Sequence, residues 1–349
     1  MLTESILMVE NSVELPTVAG LAFRAFRGDA DFEAMAAIIM GSREADGVER
    51  VISVDDLRRD YSHLVNSDPH TDMIFVEING RPIGYARVWW QQVENGPRAY
   101  GHFAQLLPEW RGLGIRTTLV QRNEERLREI AATHAGVTER CYECWASAGE
   151  AHWIELLERR GYVGARFGFD MVRPTLEAIS DLPMPEGIEV RPVTPDQYRQ
   201  IWAAAREAFQ DHWGYSPDDW DYANFESWQG SATFRPELWQ VAWEGSEVAG
   251  MILNFIDEQE NREYGRQRGY TETICVRRPW RRQGLARALI ASSLKVHQAE
   301  GMTEAALGVD SQNPNGAYQL YQSMGYEVVK RNTLYRKSFD VAAASGADL

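Results

Sequence analysis

The sequence is poor in cysteine, with three residues, and two of them form a lone C-x-x-C, Cys141 and Cys144 in "CYEC". A zinc centre needs two further ligands at short spacing, and none follows. The pair lies in a strand-like run, "TERCYECWA", and reads as two reduced thiols packed in a strand, so no metal is expected. Cys275 lies in another strand and carries no assigned chemistry. There is no run of the roughly 20 apolar residues that a membrane helix requires. The opening "MLTESILMVENSVELP" has no Lys or Arg, unlike the basic start of a signal peptide, and a cytoplasmic protein is expected. Basic charge is also in deficit: 36 Lys plus Arg stand against 51 Asp plus Glu, for a formal net charge of -15. Nonspecific nucleic-acid binding relies on basic surface to displace counterions, so that class is excluded.

What remains is a soluble, globular composition, 44% hydrophobic and 25% charged, long enough for two domains of ordinary size. The chain is written twice. "VEINGRPIGYARV" from Val76 matches "VAWEGSEVAGMIL" from Val241, each a strand, tight turn and strand. Asn79-Gly80 is a strong hairpin signal because both turn positions want positive φ. "WRGLGIRTTLV" from Trp110 matches "WRRQGLARALI" from Trp280, and "LLERRGY" matches "LYQSMGY". The starts "GLAFRAF" and "GIEVRPV" agree as well. Four blocks in one order predict two copies of one α/β fold. The expected division is 1–179, a linker at 180–187 in "SDLPMPEG", a second domain at 188–338, and a disordered tail at 339–349. Each copy reads as a strand, helices, a hairpin, a further strand, a long amphipathic helix, a strand, a short helix and a closing strand.

Arginines crowd one point of this acidic chain. In "VRRPWRRQGLARALI" four of them precede Gly284, between the strand "TETICV" and the long helix. A helix N-terminus carries unpaired N–H groups and partial positive charge, so it attracts anions. Gly284 opens the backbone to close approach, Ala286 keeps the next outward position small, and Arg281 and Arg282 add charge. A pyrophosphate on a long, narrow molecule suits such a site. The rival reading, a nucleic-acid patch, predicts basic residues spread over a face with aromatic interleaving.

Arg281-x-x-Gly284-x-Ala286 resembles the acyl-CoA signature of the GNAT acetyltransferase superfamily. "NPNGAYQLYQSMGY", Asn313 to Tyr326, is similar to that family's second signature. The likeness covers Gly187 to Lys337 and, more faintly, Gly20 to Arg173; the tandem layout is similar to that of mycothiol synthases. The resemblance implies two GNAT-like domains, each a mixed, mostly antiparallel sheet flanked by helices. It implies acetyl-CoA as acyl donor and no metal. The backbone of Ile274, Cys275 and Val276 would pair with the pantetheine arm. Amides over Arg281, Arg282, Gln283, Gly284, Leu285, Ala286 and Arg287 would hold the pyrophosphate, with Asn313 beyond the next strand. Tyr321 would protonate the departing thiolate, and Glu272 would act as general base, on the strand face it shares with Tyr270.

In the first copy Arg116 stands where Ala286 stands, Leu157 replaces Tyr321, and His102 matches Glu272, so that half is expected to be catalytically silent. The stretch "EAFQDHWGYSPDDWDYANFESW", Glu207 to Trp228, is rich in acids and aromatics without Lys or Arg, and suits a cationic or amine-bearing acceptor. Asp211, His212, Trp213 and Tyr270 are the expected acceptor contacts. The expected reaction is acetyl transfer to a primary amine of a small molecule. Acetylation of a cysteinyl amine, as in mycothiol synthases, and a noncatalytic acyl-CoA sensor are the alternatives. A monomer and a homodimer both remain open.

Overall fold

The computed structural model describes residues 16–94, 96–313 and 315–340. The opening 1–15 and most of the expected tail, 341–349, lie outside the described residues. Phe339, assigned to that tail, is packed: its ring stacks on Tyr142 with centroids 4.0 Å apart. Among the described residues no helix is long and apolar enough to cross a membrane.

The described residues form twelve strands in one sheet. In the N-terminal half these are β1 (Leu21–Arg24), β2 (Met73–Ile78), β3 (Arg81–Gln92), β4 (Arg98–Leu106), β5 (Arg140–Ser147) and β6 (Val163–Arg173). The C-terminal half repeats them as β7 (Glu189–Val190), β8 (Gln240–Glu244), β9 (Glu247–Phe255), β10 (Arg268–Val276), β11 (Glu304–Asp310) and β12 (Glu327–Ser338). Local signals act as expected. The β2–β3 turn has Asn79 and Gly80 at φ 49 and 80, the geometry that a two-residue hairpin loop demands. The matched long helices, Ile115–Ala132 and Leu285–Ala299, begin at Gly114 and Gly284, both left-handed.

Two sequence copies do not make two separate sheets. The strand order is β1-β2-β3-β4-β5-β12-β6-β11-β10-β9-β8-β7. The closing strands are exchanged: β12 of the second half pairs with β5, and β6 of the first half pairs with β11, both antiparallel. The exchanged strands also pair with each other, from Glu327↔Val172 to Arg336↔Val163. Each carries apolar side chains into the other half's core, Met171 into the C-terminal cluster and Tyr335 into the N-terminal one. Backbone hydrogen bonds therefore run unbroken across the seam, and one sheet face is continuous from β4 to β11. Among the described residues the only parallel contacts are β4–β5 and β10–β11, one per half.

Candidate active site

The parallel pair β10–β11 separates early. Its register runs Arg268↔Glu304, Gly269↔Ala305, Tyr270↔Ala306 and stops. On its other side β10 stays paired with β9 to Val276↔Gly250, with a register shift between Glu272 and Cys275. Thr273 within that bulge has φ 50, a left-handed conformation costly for a β-branched residue. A bulge bends its strand and increases its twist, which accounts for the parting. Ile274, Cys275 and Val276 thus have a strand on one edge only, and the free edge suits an extended arm.

Glu272 stands where the strands part. Its Oε1 accepts from the Gly308 amide at 3.3 Å. Part of the residue meets solvent, and the burial of the rest raises its pKa to about 7. The Gly308 amide pulls the other way, while the negative charge of Asp170, on exchanged strand β6, adds to the rise. Tyr321, on the short helix Ala317–Ser323, is buried edge-to-face against Tyr326. Burial first, and the Glu272 charge second, push its pKa up, so it stays protonated at neutral pH. Tyr326 is itself fixed, its hydroxyl 2.9 Å from that of Thr271 on β10.

Gly284, at φ 88, opens the long helix, and a Cβ built there meets nothing within 4 Å. The first amide bonded back into the helix is Ala288, to the Gly284 carbonyl. The preceding amides of Leu285, Ala286 and Arg287 are the unpartnered donors of a helix start. Arg282 is left-handed at φ 64. The arginines divide into two sets. Arg277 pairs with Glu207 and Glu247. Arg278 and Arg281 both hold Asp211, and Arg281 Nε also donates to the Val276 carbonyl at 2.9 Å. These three anchor the loop to the helix Tyr198–Phe209 and the turn that follows it, so the Arg281 side chain is not available to a phosphate. Arg282 and Arg287 remain at the loop surface, Arg287 reaching Ser323 Oγ at 3.1 Å. Gln283 donates to the Pro279 carbonyl. Asn313 closes a turn, its Oδ1 accepting from the Asn315 amide at 2.8 Å.

A cavity of about 780 Å³ lies along the continuous sheet face, from Gly308 across the seam to Ala104 and Arg116. His212 and Trp213 line it. Trp213 stands between the guanidiniums of Arg166 and Arg336, 4.8 and 4.6 Å from its ring. Arg166 lies on β6 and is held by Asp310; Arg336 lies on β12 and is held by Glu143. His212 packs against Phe209 with ring centroids 4.3 Å apart and the planes tilted, and burial lowers its pKa. The two other expected acceptor contacts point elsewhere. Asp211 is engaged by Arg278 and Arg281, and those hydrogen bonds hold its pKa well below the usual carboxylate range. Tyr270 stacks on Phe255 and donates to Glu260 at 2.6 Å, outside the cavity lining. Nor do the acids of Glu207–Trp228 form an anionic wall: Glu207 and Asp211 are bound to arginines, and Glu226 lies 3.6 Å from Arg199.

Sequence reasoning missed that the Asp211 pair is duplicated. Arg111 donates to both Asp46 oxygens at 2.7 and 2.8 Å, and its Nε donates to the Leu106 carbonyl. Leu106 is the counterpart of Val276, so both halves fasten the loop alike. The signal was an aspartate just beyond or at the end of each half's first long helix.

The halves differ where the donor would lie. Arg116, 3% exposed, folds across the slot beside β4: its Nε donates to the Ala104 carbonyl at 2.8 Å and its face lies 4.4 Å from the Trp153 ring. Ala104 is the counterpart of Ile274, so a side chain covers the edge that stays bare in the C-terminal half. β4 also runs without a bulge from Gly84↔Leu106 to Gln92↔Arg98. His102 is sealed in the core between Tyr162 and Cys144, 2.7 and 3.0 Å away, and burial lowers its pKa to about 4. Pro16 lies against Gly114, 3.6 Å from where a Cβ would stand.

Comparison with known proteins agrees with this doubling. The family model "Acetyltransferase (GNAT) family" matches twice, over residues 37–162 and 199–326. A mycothiol acetyltransferase of Frankia alni is 26% identical over 94% of this chain and 98% of its own length. One from Streptomyces bingchenggensis is 27% identical over 74% of this chain and 79% of its own. Among solved structures, a GCN5-related N-acetyltransferase from Sphaerobacter thermophilus superposes with TM-score 0.68 and 28% identity, covering 91% of this chain and 95% of that one. A tandem GNAT protein from the clavulanic acid biosynthesis pathway shares the fold, at TM-score 0.63 and 14% identity over 91% and 98% of the two chains.

Proposed function

The chain belongs to the GNAT acetyltransferase family, an acyl-CoA N-acyltransferase in two copies, and from that premise we propose that the C-terminal half alone carries the reaction, moving acetyl from acetyl-CoA to a primary amine of a small molecule. One observation carries the choice of half: Arg116 occupies the slot beside β4, whereas Ala286 leaves the matching slot beside β10 bare. The backbone edge of Ile274, Cys275 and Val276 would align the donor's arm. The amides opening the helix at Gly284, with Arg282 and Arg287 nearby, would bind its pyrophosphate. Both fit the open space at Gly284.

Glu272 accepts the proton that the acceptor ammonium must lose before its nitrogen can attack the thioester carbonyl. With a pKa of about 7 it is ionised in half the molecules at that pH, near the optimum for a general base. Tyr321, held protonated by burial, donates to the thiolate that leaves. The cavity supplies the acceptor site. Its charges are nearly balanced, which favours a neutral or zwitterionic amine over a polycation. The cysteinyl amine of a mycothiol-type acceptor stands as the second reading, favoured by a mycothiol acetyltransferase that matches nearly the whole chain.

The test is a screen of polyamines, aminoglycosides, amino acids and cysteinyl sugars, with detection of released CoA thiol. Amine-dependent release that vanishes in Glu272→Gln and persists in His102→Gln is the expected result. Release that follows His102 instead would transfer the reaction to the other half.

A further inference from the structure

Arg116 does more than cover a slot. It lines the cavity, it is almost wholly buried, and its Nη1 has no hydrogen-bond partner among the described residues. Its Nε is engaged by the Ala104 carbonyl. A buried cation with unpaired donors is costly unless something supplies the missing acceptors. The nearby protein carboxylates do not. Asp46 is held by both terminal nitrogens of Arg111, and Glu150 accepts from the Ser147 amide. Trp153 covers one guanidinium face, which favours approach at the planar edge, where a carboxylate matches the fork. A doubly charged phosphate would meet Glu150, whose charge lies close enough to act on Arg116.

The position fits a ligand that starts at Glu272. Strands β11, β6, β12, β5 and β4 lie side by side along the cavity. Four strand spacings put Arg116 about 19 Å from Gly308, the residue bonded to Glu272. We propose that the donor slot of the N-terminal half has become the far end of the acceptor site, where Arg116 binds a carboxylate carried about 19 Å from the reacting amine. This rests on the C-terminal half being the catalytic one.

A glycine peptide is a suitable ruler, since about five residues extend to roughly 17 Å. Acetylation and equilibrium binding are measured for pentaglycine, pentaglycinamide and diglycine, with wild type and Arg116→Gln. Wild type should prefer pentaglycine to its amide by roughly 10- to 100-fold, the effect of one charge-assisted contact. Arg116→Gln should reduce that preference to about unity and leave pentaglycinamide unchanged, while diglycine should be insensitive to the substitution. A preference that survives Arg116→Gln, or a wild type that binds acid and amide equally, overturns the proposal. Arg116→Met is the second variant, with the same loss of preference expected, and it carries the test if Arg116→Gln does not fold. Carboxylate-dependent binding lost in Arg116→Gln, without acetylation of any peptide, would keep the subsite and reject the catalytic reading.

Discussion

The charge state of Glu272 depends on the strand exchange, because Asp170 reaches it from the other half of the chain. Burial is the main cause of the rise to about 7, and Asp170, across from Gly308 in the β6–β11 register, contributes to it. Asp170 is steadied by Asn332 Nδ2 at 2.9 Å, on the other exchanged strand. A base must be ionised, so activity should climb as pH rises through about 7. At pH 6 only about a tenth of the enzyme would hold the ionised base, against nearly all for an ordinary glutamate. Asp170→Asn removes a like charge, lowers the Glu272 pKa, and should move the ascending limb down by about half to one pH unit. Activity at pH 6, relative to the plateau, should then rise roughly three- to sixfold. Glu272→Gln should abolish the limb and slow turnover by roughly 10²- to 10⁴-fold, the remaining pH dependence following the amine itself. The assay is kcat/KM against pH with one amine for all variants, so that the amine's own ionisation cancels. A limb near pH 7 that persists in Glu272→Gln, or does not move in Asp170→Asn, would refute this account.

Three further outcomes are expected. Gly284→Glu should abolish acetyl-CoA binding by calorimetry, whereas Gly114→Glu, with a similar left-handed strain, should leave turnover within about twofold. Tyr321→Phe should lower kcat by about 10²-fold with little change in donor affinity, measured by steady-state kinetics and direct titration. Asp46→Asn should cost about 3 kcal/mol in denaturant unfolding because it strands a largely buried arginine, while Asp211→Asn, in a more open pair, should cost about 1 kcal/mol.

Much of this was legible in the residues. Asn79-Gly80, Gly284 and the paired Trp–Arg–Gly blocks specify local backbone, and local rules decide them wherever the chain goes. Strand alternation puts Glu272 on one face with Tyr270, and the family resemblance singles out Tyr321; neither step needs tertiary knowledge. The arginines were read less well. Arg277, Arg278 and Arg281 look like phosphate ligands in a string of letters, but charge in a sequence carries no partner, and Glu207 and Asp211 lie on and just beyond a helix some 70 residues away. Asp211 and Tyr270 likewise have partners, two arginines and Glu260, that spacing alone does not show.

The sequence by itself determined that there are two copies of one unit, that one copy retains a small residue after its loop glycine, and that the other carries Arg116 there. These are properties of residue identity and spacing. Only the tertiary structure decided that β6 and β12 change places, that Asp170 therefore faces Glu272, and that Arg116 ends a cavity shared by both halves. Either closing strand could satisfy the same backbone hydrogen bonds and alternation at either position. The choice rests on how the assembled cores and the seam pack, which no local pattern records.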